Sequence, residues 1–138
     1  MEIRFENKVA FITGAAGGIG YAAARMFAEA GASVVMADLD SRVTDRAKEL
    51  EAEGHNAIGI RCDVSDEAQV KAAVEKAVAV FGKLDIAYNN VGIHAAVRED
   101  LAETEGWDFD RVISVNLRGV WNCMKYELVE MKKHGKGA

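Results

Sequence analysis

The sequence predicts an α/β domain built on a doubly wound parallel sheet with strand order 3-2-1-4, ending after the helix that follows strand four. Three observations carry this. Short apolar runs alternate with helical stripes of roughly 10 to 15 residues, the signature of βαβ units. The runs are apolar at consecutive positions, as expected of strands covered on both faces. Right-handed crossovers then leave few topologies, and the ligand crevice of this one lies at the carboxyl ends of strands one and four.

The elements follow in order. Lys8 to Thr13 is an apolar run ending at Gly14 and reads as the first strand. Ile19, Ala22, Ala23, Met26, Phe27 and Ala30 recur at helical spacing and are expected to face the core, with Gly31 closing the helix. Ala32 to Ala37 is the second strand. Ser41 to Glu53 is a helix with Val43, Ala47 and Leu50 inward. Asn56 to Cys62 is the third strand. Ser65 is the expected N-cap of the next helix, with Asp66 and Glu67 suiting its dipole. Val70, Ala73, Val74, Ala77, Val78 and Phe81 form its inner stripe, closed by Gly82. Leu84 to Tyr88 is the fourth strand. Phe109, Val112, Ile113, Leu117, Val120, Met124 and Leu128 mark the expected inner face of a long last helix that runs out near His134.

Composition bounds the rest. The 138 residues suit one domain, residues 1–138; half are hydrophobic, 28% are charged, and the net charge is -5. An acidic, unpatterned chain argues against non-specific nucleic-acid binding. No apolar stretch approaches the roughly 18 residues that span a bilayer, and the first residues lack a secretory layout. Cys62 and Cys123 make no disulfide framework, so a cytoplasmic setting is the expectation. His55, His94 and His134 are scattered and predict no metal site. Proline is absent, so glycine and Asx turns must shape the loops.

The chemistry concentrates at the strand ends. Gly14, Gly17, Gly18, Ile19 and Gly20 lie in a loop between the first strand and the first helix. There, glycine permits a tight turn, backbone contact with a pyrophosphate at the positive helix end, and close helix–strand packing. Asp38 ends the second strand, placed to bind the hydroxyls of an adenosine ribose, with Leu39 beside it. A carboxylate there repels a 2'-phosphate, which favours NAD over NADP. Arg42 is the nearest cation, and Asp40 suits a cap for the following helix. Asp63 is either an Asx turn or a partner for an adenine amino group, with Val64 covering the ring. Asn90 and Gly92, in Asn89-Asn90-Val91-Gly92, either tie strand ends beside a ligand or mark a plain turn. Asn116 falls on the apolar stripe of the last helix. A buried amide needs a partner, either a neighbouring loop or something in the crevice.

Together these residues resemble the short-chain dehydrogenase/reductase family. Thr13-Gly14-x-x-x-Gly18-x-Gly20 matches its cofactor motif, and Asp38 its NAD-selecting position. Asp63-Val64 matches the adenine contact, Asn89-Asn90-Val91-Gly92 its Asn-Asn-Ala-Gly motif, and Val115-Asn116 its helix asparagine. The resemblance covers the whole chain. It implies a Rossmann fold, NAD(P)-linked alcohol–carbonyl chemistry, and dimers or tetramers.

The family's catalytic serine and Tyr-x-x-x-Lys pair come after this last helix. Tyr21, Tyr88 and Tyr126 are followed four residues on by Arg25, Gly92 and Glu130, so none is that motif. Of the family's tetrad only Asn116 is matched. The expectation is an NAD-binding part with little or no activity alone; the alternative is a non-catalytic dinucleotide-binding or dimerisation module. Two surfaces are expected to drive self-association. One is an unpaired fourth-strand edge, and the other is the helix side carrying Val115, Gly119, Cys123, Tyr126 and Val129. His94, Val97 and Trp107 stand where a substrate wall could begin.

Overall fold

The computed structural model describes residues 3–96 and 100–138. Four parallel strands, β1 (Val9–Thr13), β2 (Ser33–Asp38), β3 (Ala57–Arg61) and β4 (Ile86–Tyr88), form one sheet in the order β3-β2-β1-β4. Helices α1 (Gly18–Glu29) and α2 (Arg42–Ala52) cover one face. On the other lie α3 (Glu67–Phe81) and α5 (Gly119–His134), the latter continuous with α4 (Gly106–Ile113) through a π turn at Ser114–Arg118. This is the expected doubly wound fold.

The central positions of β1 and β2 are apolar throughout because each side chain there meets a helix layer. Ala10 and Ile12 point to the α1–α2 core, while Val9 and Phe11 point to the α3–α5 core. β2 divides in the same way, with Val34 and Met36 on one side and Val35 and Ala37 on the other.

Two helices present a different face from the expected one, for the same reason. In α1 the buried residues are Gly20, Ala24 and Ala28, whereas Ile19 and Met26 are exposed. In α5 the buried residues include Gly119 and Cys123, together with Asn122, Glu127, Glu130 and Met131. The stripe read as inner, including Phe109, Ile113, Leu117, Met124 and Leu128, is exposed instead. Both helices lie too close to their neighbours to admit bulk. A Cβ on Gly119 would stand 2.6 Å from Val64 Cγ2. Gly119 and Cys123 therefore pack inward, and only Val129 of the second stripe stays largely exposed.

Two smaller expectations also shift. Asp66, not Ser65, caps α3, its carboxylate accepting from the Ala68 and Gln69 N–H groups. The β4 edge is partly paired: Ala138 donates its N–H to Asp85 O (3.1 Å) and accepts from Ala87 N–H (2.8 Å).

Buried polar groups fasten β4. Asp85, just before it, accepts from the Val9 N–H at 2.9 Å and pairs with Lys83 at 3.0 Å. Burial pushes its carboxyl up, but the Val9 N–H, Lys83 and the nearby Lys8 outweigh this and hold it below its ordinary value. Past the strand, Asn89 donates to Glu127 Oε2 at 2.8 Å. Glu127 is buried, and Oε1 of Glu127 and Oδ1 of Asn89 find no partner among the described residues. Burial drives the Glu127 carboxyl up to about 7 against the pull of Asn89.

A raised acid pKa in the folded state means that the folded chain holds the proton more tightly than the unfolded one. Glu127 therefore stabilises the fold fully below about pH 4.3, and that contribution is lost as pH rises through about 7. Glu127→Gln is expected to flatten this slope and to stabilise the chain at pH 8 by on the order of 2–3 kcal/mol, read by denaturant unfolding at pH 5 and 8.

Candidate functional site

The carboxyl ends of the strands open on a crevice of about 790 Å³, of the size that holds a small-molecule ligand. Thr13 organises its centre. Its hydroxyl oxygen accepts from the Asn90 N–H (3.0 Å) and the Val91 N–H (3.3 Å), and its carbonyl accepts from Asn90 Nδ2 (3.3 Å). The ends of β1 and β4 are thereby locked side by side.

The glycine loop is fitted to this knot. Gly14 sits at φ +69°, and a Cβ there would come 2.9 Å from Asn90 Nδ2. A Cβ on Gly20 would fall 2.0 Å from the Gly14 carbonyl oxygen, so α1 starts directly against the loop. Around Gly17 and Gly18, by contrast, a Cβ would meet nothing within 4 Å. Backbone at the positive end of α1 is thus left open toward solvent, the arrangement that accepts a phosphate. Ile19, first in line after it, is exposed.

Asp38 lines the crevice with Leu39 beside it. Its Oδ2 accepts from the Ala16 N–H (3.0 Å) and its Oδ1 from the Asp40 N–H (2.9 Å). These bonds fix the carboxylate against the glycine loop and leave each oxygen a further lone pair. Arg42 bonds Asp40 at 2.8 Å through Nε and holds its carboxyl below the ordinary range. The nearest cation is therefore already paired; Asp40 also accepts the Arg42 N–H, but the N-cap position of α2 is Ser41, not Asp40.

Asp63 and Val64 line the same crevice. Asp63 makes the Asx turn: its Oδ1 accepts from the Ser65 N–H (2.9 Å) and from Ser65 Oγ (2.6 Å). Asn90 and Gly92 also line it, so seven of the expected residues, Gly14, Asp38, Leu39, Asp63, Val64, Asn90 and Gly92, share one cavity. Gly17 caps α1 beside it, and Gly18, Ile19 and Gly20, expected in the loop, form the first turn of α1.

Asn116 differs from its expectation. It is exposed, not buried, and sits in the π turn. Its Oδ1 accepts from the Ile93 N–H (2.8 Å) and its Nδ2 donates to the Ile93 carbonyl (2.7 Å), the bond to a neighbouring loop that the sequence left as one alternative. His94 and Trp107 are exposed; Val97 lies outside the described residues.

Sequence reasoning missed Thr13 as a bonding centre, and it missed Arg111 and Ser114, which also line the crevice. No group of metal-ligating side chains occurs among the described residues, and no helix there is long and apolar enough to cross a membrane.

The family model for short chain dehydrogenase matches residues 8–138. The chain is 43% identical to cis-4-hydroxycyclohexanecarboxylate dehydrogenase of Sinomonas cyclohexanicum, over 97% of its own length and 53% of that protein's. It is 44% identical to secoisolariciresinol dehydrogenase of Forsythia intermedia, over 89% and 44% of the two chains. The solved structure of gox2181 superposes with a TM-score of 0.93 at 29% identity, covering 99% of this chain and 53% of the other. The chain spans about half the length of the curated relatives it matches.

Proposed function

The chain belongs to the short-chain dehydrogenase family, and from that premise we propose that residues 1–138 form the NAD-binding part of an enzyme interconverting alcohols and carbonyls. The observation that carries this is the open backbone of Gly17 and Gly18 at the start of α1, with Asp38 fixed beside it on the crevice. The diphosphate would lie on the glycine loop, the adenosine ribose on Asp38 and Leu39, and the adenine against Asp63 and Val64. Asn90 and Gly92 would border the distal half. Bound NAD supplies a hydride acceptor. This chain's residues orient it and shield it from water.

Selectivity follows from charge. Asp38 and Asp40 line the crevice where a 2'-phosphate would have to lie, and Arg42 is paired with Asp40. NAD is therefore preferred over NADP.

Proton transfer is where the chain falls short. Asn116 matches the family's catalytic asparagine, but both its amide atoms are engaged with Ile93. Its role here is to hold that loop. A positioned general acid or base supplies about 100- to 10,000-fold, and no tyrosine in the chain stands in the Tyr-x-x-x-Lys pattern. The relatives are about twice as long, which agrees with an activity needing further residues.

Self-association follows from the outer face of α4 and α5. Phe109, Ile113, Leu117, Trp121, Met124 and Leu128 make one exposed apolar ridge. Such a ridge suits burial against a second copy by two-fold symmetry. This replaces the Gly119–Cys123 side, which is already used.

Three measurements test the reading. Calorimetric titration should give NAD binding at least about 30-fold tighter than NADP, a gap that Asp38→Ala narrows; equal affinities would remove the selectivity argument. NAD reduction with a panel of alcohols should be negligible for this chain, and clear turnover would refute the division of labour. Trp121→Glu should weaken self-association by about 30-fold or more in sedimentation, with the fold intact by circular dichroism.

A further inference from the structure

The segment leaving β4 forms one wall of the crevice through Gly92 and Ile93. It is held from α4 by a charge pair outside the cofactor motifs. Asp108 is 1% exposed. Both its oxygens accept from the Ala96 N–H, at 3.1 and 2.8 Å. A carboxylate this buried needs compensation. Arg111 provides it, donating from Nε (3.1 Å) and Nη2 (2.9 Å) to Oδ1 of Asp108. The same Nη2 donates to the His94 carbonyl at 2.9 Å. Asn116 clamps Ile93 from the π turn.

We infer that Asp108 and Arg111 are positioning residues that latch His94–Ala96 and so hold the crevice wall at Gly92 and Ile93, just before it, over the half of the dinucleotide beyond its diphosphate. This rests on the dinucleotide reading above. Asp108 lies in the first turn of α4, where an acid ordinarily serves its own helix. Here both oxygens reach a backbone N–H twelve residues earlier. Arg111, which itself lines the crevice, reads the same segment through a second backbone group. The strand order sets which part of the ligand is affected. Asp63 and Asp38 stand at the ends of β3 and β2, whereas the latched wall follows β4, at the opposite end of the sheet. A ligand with its adenosine at β2 and β3 therefore meets this wall only with its far half.

The test compares NAD with AMP, which lacks the far half, in the wild type, Asp108→Asn, Asp108→Ala and Arg111→Ala. Calorimetry gives affinity, and amide hydrogen exchange gives the order of the Ala96 N–H. Asp108→Ala should weaken NAD about tenfold, as when the ordered wall is present about a tenth of the time, and leave AMP within about twofold. Asp108→Asn, which keeps one acceptor oxygen, should fall between. Exchange at Ala96 should accelerate while β1–β3 amides keep their protection. Wild-type NAD affinity in Asp108→Ala, equal losses for NAD and AMP, or unchanged exchange at Ala96 would overturn the latch. If the wild type binds neither nucleotide, the dinucleotide reading fails, and Ala96 exchange still decides whether Asp108 holds the wall. Should Asp108→Ala not fold, Asp108→Asn and Arg111→Ala carry the same comparison.

Discussion

The site depends on one side chain, Thr13. A single hydroxyl oxygen takes two backbone N–H groups from the end of the neighbouring strand β4, and the adjoining carbonyl takes the Asn90 amide. Through these bonds two strand ends that are distant in sequence become one surface. The glycines on either side then have no slack: Gly14 and Gly20 press against the same Asn90 amide. The glycine loop is therefore less a flexible element than a rigid seam, and the start of α1 is aimed by it.

The fold was legible because strand order follows from alternation, and the buried residues of α2 and most of those of β1, β2 and α3 came out as read, Val78 and Phe81 being only half-buried. The failures share one cause. Hydrophobic periodicity ranks positions by apolar character, but a helix lying tight on a sheet selects for small size. Gly20, Ala24 and Ala28 are nearly silent on a hydropathy scale, and Ile19 and Met26 dominate it. In α5 the bias is worse, because the inner face carries Asn122 and Glu127. Asn122 donates to the Val64 carbonyl (2.8 Å) and Glu127 accepts from Asn89, partners that a local reading cannot see. The extra residue in the π turn also breaks the helical phase between α4 and α5.

The site divides in the same way. That Gly14, Asp38, Asp63 and Asn90 share one crevice was readable because their places are set by sequence position at strand ends. Asn116 was singled out correctly as a polar residue needing a partner, but its exposure was not foreseen. Thr13 was read only as part of the glycine motif and Asp108 was not singled out, because threonine at a strand end and aspartate at a helix start look ordinary until their distant partners are known. What the sequence conceals is the set of long-range bonds to backbone, which carry no pattern of their own.

The strand order has a kinetic consequence. β1 pairs with β2 across a short connection, Val9 opposite Ser33, whereas the Asp85 carboxylate reaches the Val9 N–H across 76 residues. Chain-closure entropy grows with loop length, so β1, β2 and β3 can assemble before β4 arrives. The crevice, which needs β4 beside β1, is therefore complete only once the longest of these loops has closed.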